Sequence, residues 1–315
     1  QGAARRGRPR RSLIASANAI PSQATPVAVA CLGLGALGAP MAVNLLRAGY
    51  PLTVHNRTPE RQGPLLAAGA QAASTPALAV ANAELVLVCV SDDSALRAVL
   101  VEQPNAAIHG LKPGSLVVDC STVSPSTSVE LAAALAQRGV GYLDAPVTGG
   151  TEGARAGTLS VLVGGSATDL ERARPLLEVI GQRITHFGAV GAGQRAKAVN
   201  QVLVAGSYAA VAEALALAER LGLDRHELVD ALRGGAAGSW ALEHRSAGMI
   251  ADHYPLGFKL ALHRKDLAIA LAAAADAELA LPITAEVAAL EDALIAAGEG
   301  EQDVSVLARW YQLRG

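Results

Sequence analysis

Aromatic and charged residues are scarce in this sequence. Phe, Trp and Tyr make up 3% of the 315 residues and Asp, Glu, Lys and Arg make up 17%, with a net charge of -2. A nucleic-acid-binding protein needs a basic surface and aromatic stacking platforms, so we expect no nucleic-acid partner. No uninterrupted apolar run approaches the roughly 20 residues that a membrane span requires, so we expect a soluble protein without a membrane partner. The length is sufficient for two domains.

Cysteine is also scarce. Cys31, Cys89 and Cys120 lie far apart inside apolar runs. This spacing fits neither a zinc site nor a disulfide framework. We therefore expect three buried thiols in a reducing compartment and no metal site.

Acidic residues are missing from the beginning of the chain. None precedes Glu60, whereas five arginines fall within the first eleven residues. The segment 1–26 has the Arg- and Ser-rich composition of an organellar transit peptide, but a disordered extension without an address, or a cloning remnant, fits equally well. We expect this segment to lie outside the fold. The expected location is the cytoplasm, or a plastid or mitochondrion if the segment is a transit peptide.

A glycine-rich turn opens the folded part. The apolar run 27–32 predicts a strand, and a helical pattern follows the turn and ends near Gly49. In a GxGxxG turn the first glycine permits the tight bend, the second lets a diphosphate approach the backbone, and the third allows close helix packing. GxGxxG alone is a weak signal, but its place between a strand and a helix favours dinucleotide binding. The residues expected to hold the dinucleotide are Gly33, Leu34, Gly35, Ala36, Leu37 and Gly38.

The second predicted strand, 51–55, ends in Asn56, Arg57 and Thr58. An NAD-binding fold usually places an acidic residue here for the ribose hydroxyls, and an acid would repel the extra phosphate of NADP. Asn56 is neutral and the Arg57 guanidinium is suited to grip a phosphate. The alternative is that Arg57 is merely a solvated turn residue. Because the acid is also missing, NADP is the expected cofactor and NAD the less favoured one.

Strands and helices continue to alternate, which indicates a parallel sheet covered on both faces. Ligands bind beyond the carboxyl ends of such strands. We expect Val90 and Ser91 there, together with Thr122 and the segment 146–150. The further predicted strands are 85–90, 116–120, 140–144, 158–163 and 184–187.

A long helix is predicted from Gln194 to Leu221 and is expected to be largely buried. Its 28 residues would span roughly 42 Å, enough to belong to two domains. Lys197, Asn200 and Gln201 share one face of it. A lysine on a buried helix either has a function or reaches water near the helix start.

After Gly191 the predicted strands stop. We therefore expect a cofactor-binding domain over 27–192 and an all-helical domain over 193–315. The further helices are predicted at 224–232, 260–278, 284–297 and 304–313.

Five segments together resemble the β-hydroxyacid dehydrogenase family, which includes 3-hydroxyisobutyrate dehydrogenase and tartronate semialdehyde reductase. The resemblance runs from Val27 to the C-terminus, and its second half looks most like the reductase branch. It implies an α/β fold with an N-terminal Rossmann-type, doubly wound parallel sheet and an all-helical C-terminal domain, joined by a long interdomain helix. The matching segments are GLGALGAPMAVNLL, DCSTVSP, DAPVTGGTEGARAGTLSVLVGG, GAGQRAKAVNQ and HRKDLAIAL.

The resemblance also implies roles for single residues. Lys197 matches the catalytic lysine, and Asn200 or Gln201 its polar partner. Lys265 matches a lysine that reaches both cofactor and substrate, and Thr122 a residue beside the nicotinamide. The loop expected to hold the substrate carboxylate is Thr148, Gly149 and Gly150. The family more often has Ser at position 148 and a second Asn at position 201, so these two departures bear on the substrate.

We therefore expect an NADPH-dependent reductase of small carboxylated aldehydes that uses a lysine as acid and base. Tartronate semialdehyde is the leading substrate, followed by succinic semialdehyde, glyoxylate and methylmalonate semialdehyde. The alternatives are a 3-hydroxyisobutyrate dehydrogenase proper and a non-catalytic NADP-binding sensor or scaffold. An imine reductase is disfavoured by Lys197, and a 6-phosphogluconate dehydrogenase by the small helical domain. The apolar composition predicts a homodimer or homotetramer.

Overall fold

The computed structural model describes residues 27–313 of the chain. The segment 1–26, for which we weighed a transit peptide, lies outside the described residues. Nine strands form one sheet. They are β1 (Val29–Leu32), β2 (Leu52–His55), β3 (Gln71–Ala72), β4 (Leu85–Val88), β5 (Leu116–Asp119), β6 (Gly141–Asp144), β7 (Val147–Thr148), β8 (Leu159–Gly164) and β9 (Gly181–Gly188).

The first six strands lie in the spatial order β3-β2-β1-β4-β5-β6 and are all parallel. This is the strand order of a Rossmann-type sheet, whose ligand crevice lies where the order reverses, beyond β1 and β4. The predicted α/β class and Rossmann-type sheet are thereby confirmed.

The sheet is not parallel throughout, which corrects our expectation. β8 runs antiparallel to β6 and to β7, and β9 is parallel to β8. Only residues 149–158 join β7 to β8. A parallel crossover needs a dozen or more residues, so this connection is too short and the chain returns antiparallel.

Helices cover both faces of the sheet. Consecutive residues of β4 point to opposite cores: Leu87 belongs to one apolar cluster and Val88 to the other. Both faces are therefore dry, as expected for strands that read as continuous apolar runs. The helices of this unit are α1 (Gly38–Arg47), α2 (Gly63–Ala67), α3 (Pro76–Val80), α4 (Asp93–Arg97), α5 (Pro125–Ala136), α6 (Gly150–Ala156) and α7 (Ala167–Ile180).

The second half is helical, as predicted, with one helix that the sequence reading missed. That helix begins directly after Gly238 and Ser239, because the Ser239 side chain accepts the N–H of Leu242 and caps it. The segment predicted as one helix over 304–313 begins as a 3-10 helix, Val304–Ala308. The helices are α8 (Ala192–Arg220), α9 (Arg225–Leu232), α10 (Trp240–Ile250), α11 (Leu260–Asp276), α12 (Pro282–Ala296) and α13 (Arg309–Leu313).

Helix α8 joins the two halves. It packs on β8 and β9 of the sheet and on α10, α11 and α12 of the helical half. By length and composition alone it could cross a membrane, but these contacts are those of a core helix. The expectation that it is largely buried is wrong on one face, where Val199, Leu203 and Leu217 are 64%, 68% and 59% exposed.

Candidate active site

Of the three glycines in the turn, Gly35 is the one with open space above its backbone. A Cβ on Gly33 would lie 2.2 Å from the carbonyl oxygen of Cys89, and one on Gly38 would lie 2.1 Å from that of Gly33. These two glycines are therefore required by the packing of the protein itself. A Cβ on Gly35 would meet nothing within 4 Å. The open space over this backbone fits the close approach of a diphosphate.

Asn56 ties the glycine turn to the end of β2. Its Oδ1 accepts the N–H of Leu34 at 2.8 Å, and its Nδ2 donates to the carbonyl of Thr58 at 2.9 Å. This position thus shapes the cofactor loop through hydrogen bonds within the protein. Arg57, next to it, is exposed and has no ion pair within the described part of the chain, so its guanidinium is available to a ligand. Ala36 and Leu37 complete the turn before α1.

The loops after β4 and β5 are joined to each other. The N–H of Val90 donates to Ser121 Oγ at 3.0 Å. Ser91 donates to Asp92 at 2.6 Å, and Asp92 caps α4. Thr122 is half-buried at the same edge of the sheet. Of the three free thiols, Cys31 and Cys120 are buried as expected, but Cys89, which follows β4, is partly exposed.

A buried carboxylate fixes where α8 begins. Asp144, at the end of β6, accepts the N–H of Gly191 at 2.8 Å and that of Gln194 at 2.9 Å. Burial raises the pKa of Asp144, and these hydrogen bonds oppose the rise. The Gln194 side chain donates to the carbonyl of Ser121 at 2.9 Å. Helix α8 is therefore anchored to the loop after β5 one turn before Lys197.

Lys197 is buried and has no partner. Its exposure is 7%, and its ammonium group makes no hydrogen bond or ion pair with any residue that the structure describes. Its pKa is lowered from 10.5 to about 8, mainly by burial; the Asp266 carboxylate opposes the shift and the Lys265 ammonium adds to it. The predicted burial is confirmed, so Lys197 does not simply extend into water.

The polar residues around Lys197 form one chain of contacts. Asn200 donates to Gln201 at 2.7 Å, and Gln201 donates to Asp266 Oδ2 at 2.7 Å. Asp266 Oδ1 lies 2.9 Å from Lys265 Nζ, and Lys265 also donates to the carbonyl of Thr122. Gln201 is thus engaged with α11, whereas Asn200 lies closer to solvent. The structure brings four of the predicted site residues together through Asp266, which the sequence reading missed although an acid follows Lys265 directly.

The loop expected to hold the substrate carboxylate lies between β7 and α6. Gly149 and Gly150 have φ angles of +128° and +64°, which favour glycine. Thr148 precedes them at the end of β7, and α8 packs against this strand. Glu152, just beyond the turn, accepts from Arg245 of α10 at 2.7 Å. This ion pair between the two halves was also missed.

Comparison with known proteins gives the family. Residues 28–188 match the model of the NAD-binding domain of 6-phosphogluconate dehydrogenase, and residues 191–311 match that of the NAD-binding domain of NADP-dependent 3-hydroxyisobutyrate dehydrogenase. The chain is 39% identical to 2-hydroxy-3-oxopropionate reductase of Escherichia coli, over 90% of this chain and 96% of that protein. The chain belongs to the β-hydroxyacid dehydrogenase family.

Other members of the β-hydroxyacid dehydrogenase family are equally similar. The NAD-dependent L-serine dehydrogenase of Pseudomonas aeruginosa is 39% identical, over 90% of this chain and 97% of its own. The structure of Mycobacterium tuberculosis 3-hydroxyisobutyrate dehydrogenase with L-serine superposes with a TM-score of 0.81 at 34% identity, covering 92% of this chain and all of that one. The protein is an NAD(P)-dependent oxidoreductase of the hydroxyacid dehydrogenase type.

Proposed function

We propose that this β-hydroxyacid dehydrogenase is an NADPH-dependent reductase that interconverts small carboxylated aldehydes and their hydroxyacids. The observation that carries the proposal is that Lys197 is a buried residue whose ammonium group makes no hydrogen bond or ion pair with the residues that the structure describes. Tartronate semialdehyde is the leading substrate, and succinic semialdehyde, glyoxylate and methylmalonate semialdehyde follow. The similarity to the Escherichia coli 2-hydroxy-3-oxopropionate reductase supports tartronate semialdehyde as the leading substrate.

Lys197 acts as the proton donor in this proposal. The bound nicotinamide cofactor supplies the hydride, and the substrate oxygen then needs a proton. With a pKa of about 8, Lys197 is mostly protonated at neutral pH, so it donates that proton and stabilises the developing negative charge. The same pKa leaves enough neutral amine for Lys197 to accept a proton in the reverse direction. Asp266 forms an ion pair with Lys265, whose positive charge also acts on Lys197.

The substrate carboxylate is assigned to the turn at Gly149 and Gly150. Backbone N–H groups in such a turn bind an anion without a charged side chain. Thr148 adds a hydroxyl and a methyl group at the same place, and Asn200, one turn after Lys197, is assigned to the hydroxyl end of the substrate. This arrangement favours a short substrate that carries a carboxylate close to its carbonyl group.

NADPH is the proposed cofactor because Arg57 is exposed, forms no ion pair with an acidic residue between positions 27 and 313, and stands next to the neutral Asn56. The names of the relatives divide between NAD and NADP, so the preference rests on Arg57. We further propose a homodimer or homotetramer, since Val199, Leu203 and Leu217 expose one apolar face of α8. A cytoplasmic location is proposed, with a plastid or mitochondrion as the alternative.

Steady-state oxidation of NADPH with the four aldehydes tests the function. We expect turnover with at least one of them and a loss of roughly two to four orders of magnitude in Lys197→Arg, because a guanidinium hardly releases a proton. Lys112→Arg, at an exposed lysine, is the matched control and should keep full activity. Methylmalonate semialdehyde yields 3-hydroxyisobutyrate on reduction, so oxidation of 3-hydroxyisobutyrate in preference to the other three products would favour the dehydrogenase alternative. Tight NADPH binding without any turnover would favour a sensor or scaffold.

A further inference from the structure

A fully buried carboxyl group directs the chain as it leaves β5. Asp119 is the last residue of this strand and has no exposed surface. Its Oδ1 accepts the N–H of Ser121 at 2.9 Å, and its Oδ2 accepts the hydroxyl of Tyr142 at 2.8 Å. The first bond closes a turn within the loop. The second comes from the neighbouring strand β6 and engages the other carboxylate oxygen, which takes no part in the turn.

Three parts of the active site are attached to the segment that this turn places. Ser121 Oγ accepts the N–H of Val90 in the loop after β4. The carbonyl of Ser121 accepts from Gln194 in the first turn of α8. The carbonyl of Thr122 accepts from Lys265 of α11. A shift of this short segment would therefore move the cofactor loop, the helix of the proposed proton donor and Lys265 relative to one another.

Burying the ionised carboxylate of Asp119 costs free energy. This cost indicates that the carboxylate has a role in the structure or the function. Burial is the main influence on Asp119 and raises its pKa to about 6, while the hydrogen bonds from Ser121 and Tyr142 oppose the rise. Hydrogen bonds to an ionised acceptor are roughly twice as strong as those to a neutral one. The carboxylate therefore holds the turn more firmly than an amide would.

We propose that Asp119 is a positioning residue for hydride transfer. It holds Ser121 and Thr122 in place, and their contacts then fix the positions of the cofactor loop, α8 and Lys265 relative to one another. Asp119 does not touch the substrate, and it acts through the backbone of the loop. A displacement of about 1 Å in such a site can reduce the rate about a hundredfold. The turnover measurements that test this role rest on the proposed reductase function.

The test compares Asp119→Asn and Asp119→Ala with Tyr142→Phe as the control. Asparagine keeps the acceptor for Ser121 but loses the charge, so we expect turnover to fall roughly 3- to 10-fold, and about a hundredfold in the alanine variant. Tyr142→Phe removes the other bond and keeps the turn, so turnover should stay within about threefold. In the asparagine variant, the kinetic isotope effect on turnover with 4-deuterated NADPH should rise, because hydride transfer becomes slower than the other steps. The number of NADPH molecules bound per protein should stay the same.

Two results would overturn the positioning role. One is turnover in Asp119→Asn that falls only in proportion to the fraction of protein that binds NADPH, with an unchanged isotope effect. The other is an equal loss in Tyr142→Phe. If the alanine variant does not fold, the asparagine variant decides.

If the wild-type protein reduces none of the aldehydes, the proposed function is refuted. The role of Asp119 can still be tested without turnover. The fluorescence emission of bound NADPH reports the surroundings of the nicotinamide. It should shift in Asp119→Asn and not in Tyr142→Phe. Identical emission in all three proteins would refute the positioning role.

Discussion

Replacement of Lys197 by methionine should abolish turnover and stabilise the protein. The pKa of Lys197 falls from 10.5 to about 8, mainly through burial. One pKa unit corresponds to about 1.4 kcal/mol, so holding the charged lysine in the folded protein at neutral pH costs about 3 kcal/mol. Methionine has a similar length and is apolar, so it fills the site without this cost. Most substitutions destabilise a protein, which makes a gain of this size diagnostic.

The gain should depend on pH in a defined direction. The unfolded chain holds the Lys197 proton up to a pH near 10.5, whereas the folded protein releases it near pH 8. Between these values the unfolded state binds more protons, so the stability of the wild type rises with pH. Lys197→Met lacks this contribution. We expect its advantage to be largest below pH 8 and to shrink as the pH rises toward 10.5.

Urea unfolding without cofactor, at pH 7 and pH 9.5 and at one protein concentration, measures the effect. The cofactor is left out because binding would itself stabilise the folded state, and the slope with urea must match between variants for the midpoints to be compared. Lys112→Met, at an exposed lysine, is the control and should change stability by no more than about 0.5 kcal/mol. A destabilised Lys197→Met, or a gain that does not decrease at pH 9.5, would refute the reasoning.

The remaining predictions concern the cofactor and the assembly. Arg57→Asp should raise the KM for NADPH roughly 30- to 150-fold with little change in kcat, as expected for the loss of about 2–3 kcal/mol of charge-assisted binding. An unchanged KM, or an equal rise in the remote control Arg138→Asp, would contradict the assignment. Leu203→Glu should weaken self-association in sedimentation velocity at micromolar concentration, whereas Leu78→Glu, at an exposed leucine on α3, should not. A monomeric wild type would refute the proposed assembly.

The structure confirms the predicted features that follow from the pattern of residues close together in the sequence. The change from alternating strands and helices to helices alone places the end of the sheet near Gly191, and in the structure β9 ends at Gly188 and α8 begins at Ala192. The helix α10 was missed because Gly234, Gly235 and Gly238 precede it and its cap is the single residue Ser239. The antiparallel pairing of β8 was missed because apolar runs indicate a buried strand but not its direction.

The sequence by itself determined the glycine turn, the two-part architecture and the candidate positions on α8. These follow from hydrophobic periodicity and from the restricted angles of glycine, which act over a few residues. Only the tertiary structure decided which polar groups meet. Gln201 and Asp266 are 65 residues apart in the chain, and Lys265 and Thr122 are 143 apart. No local pattern encodes such contacts, because they exist only after α11 packs on α8 and brings its side chains to the end of the sheet.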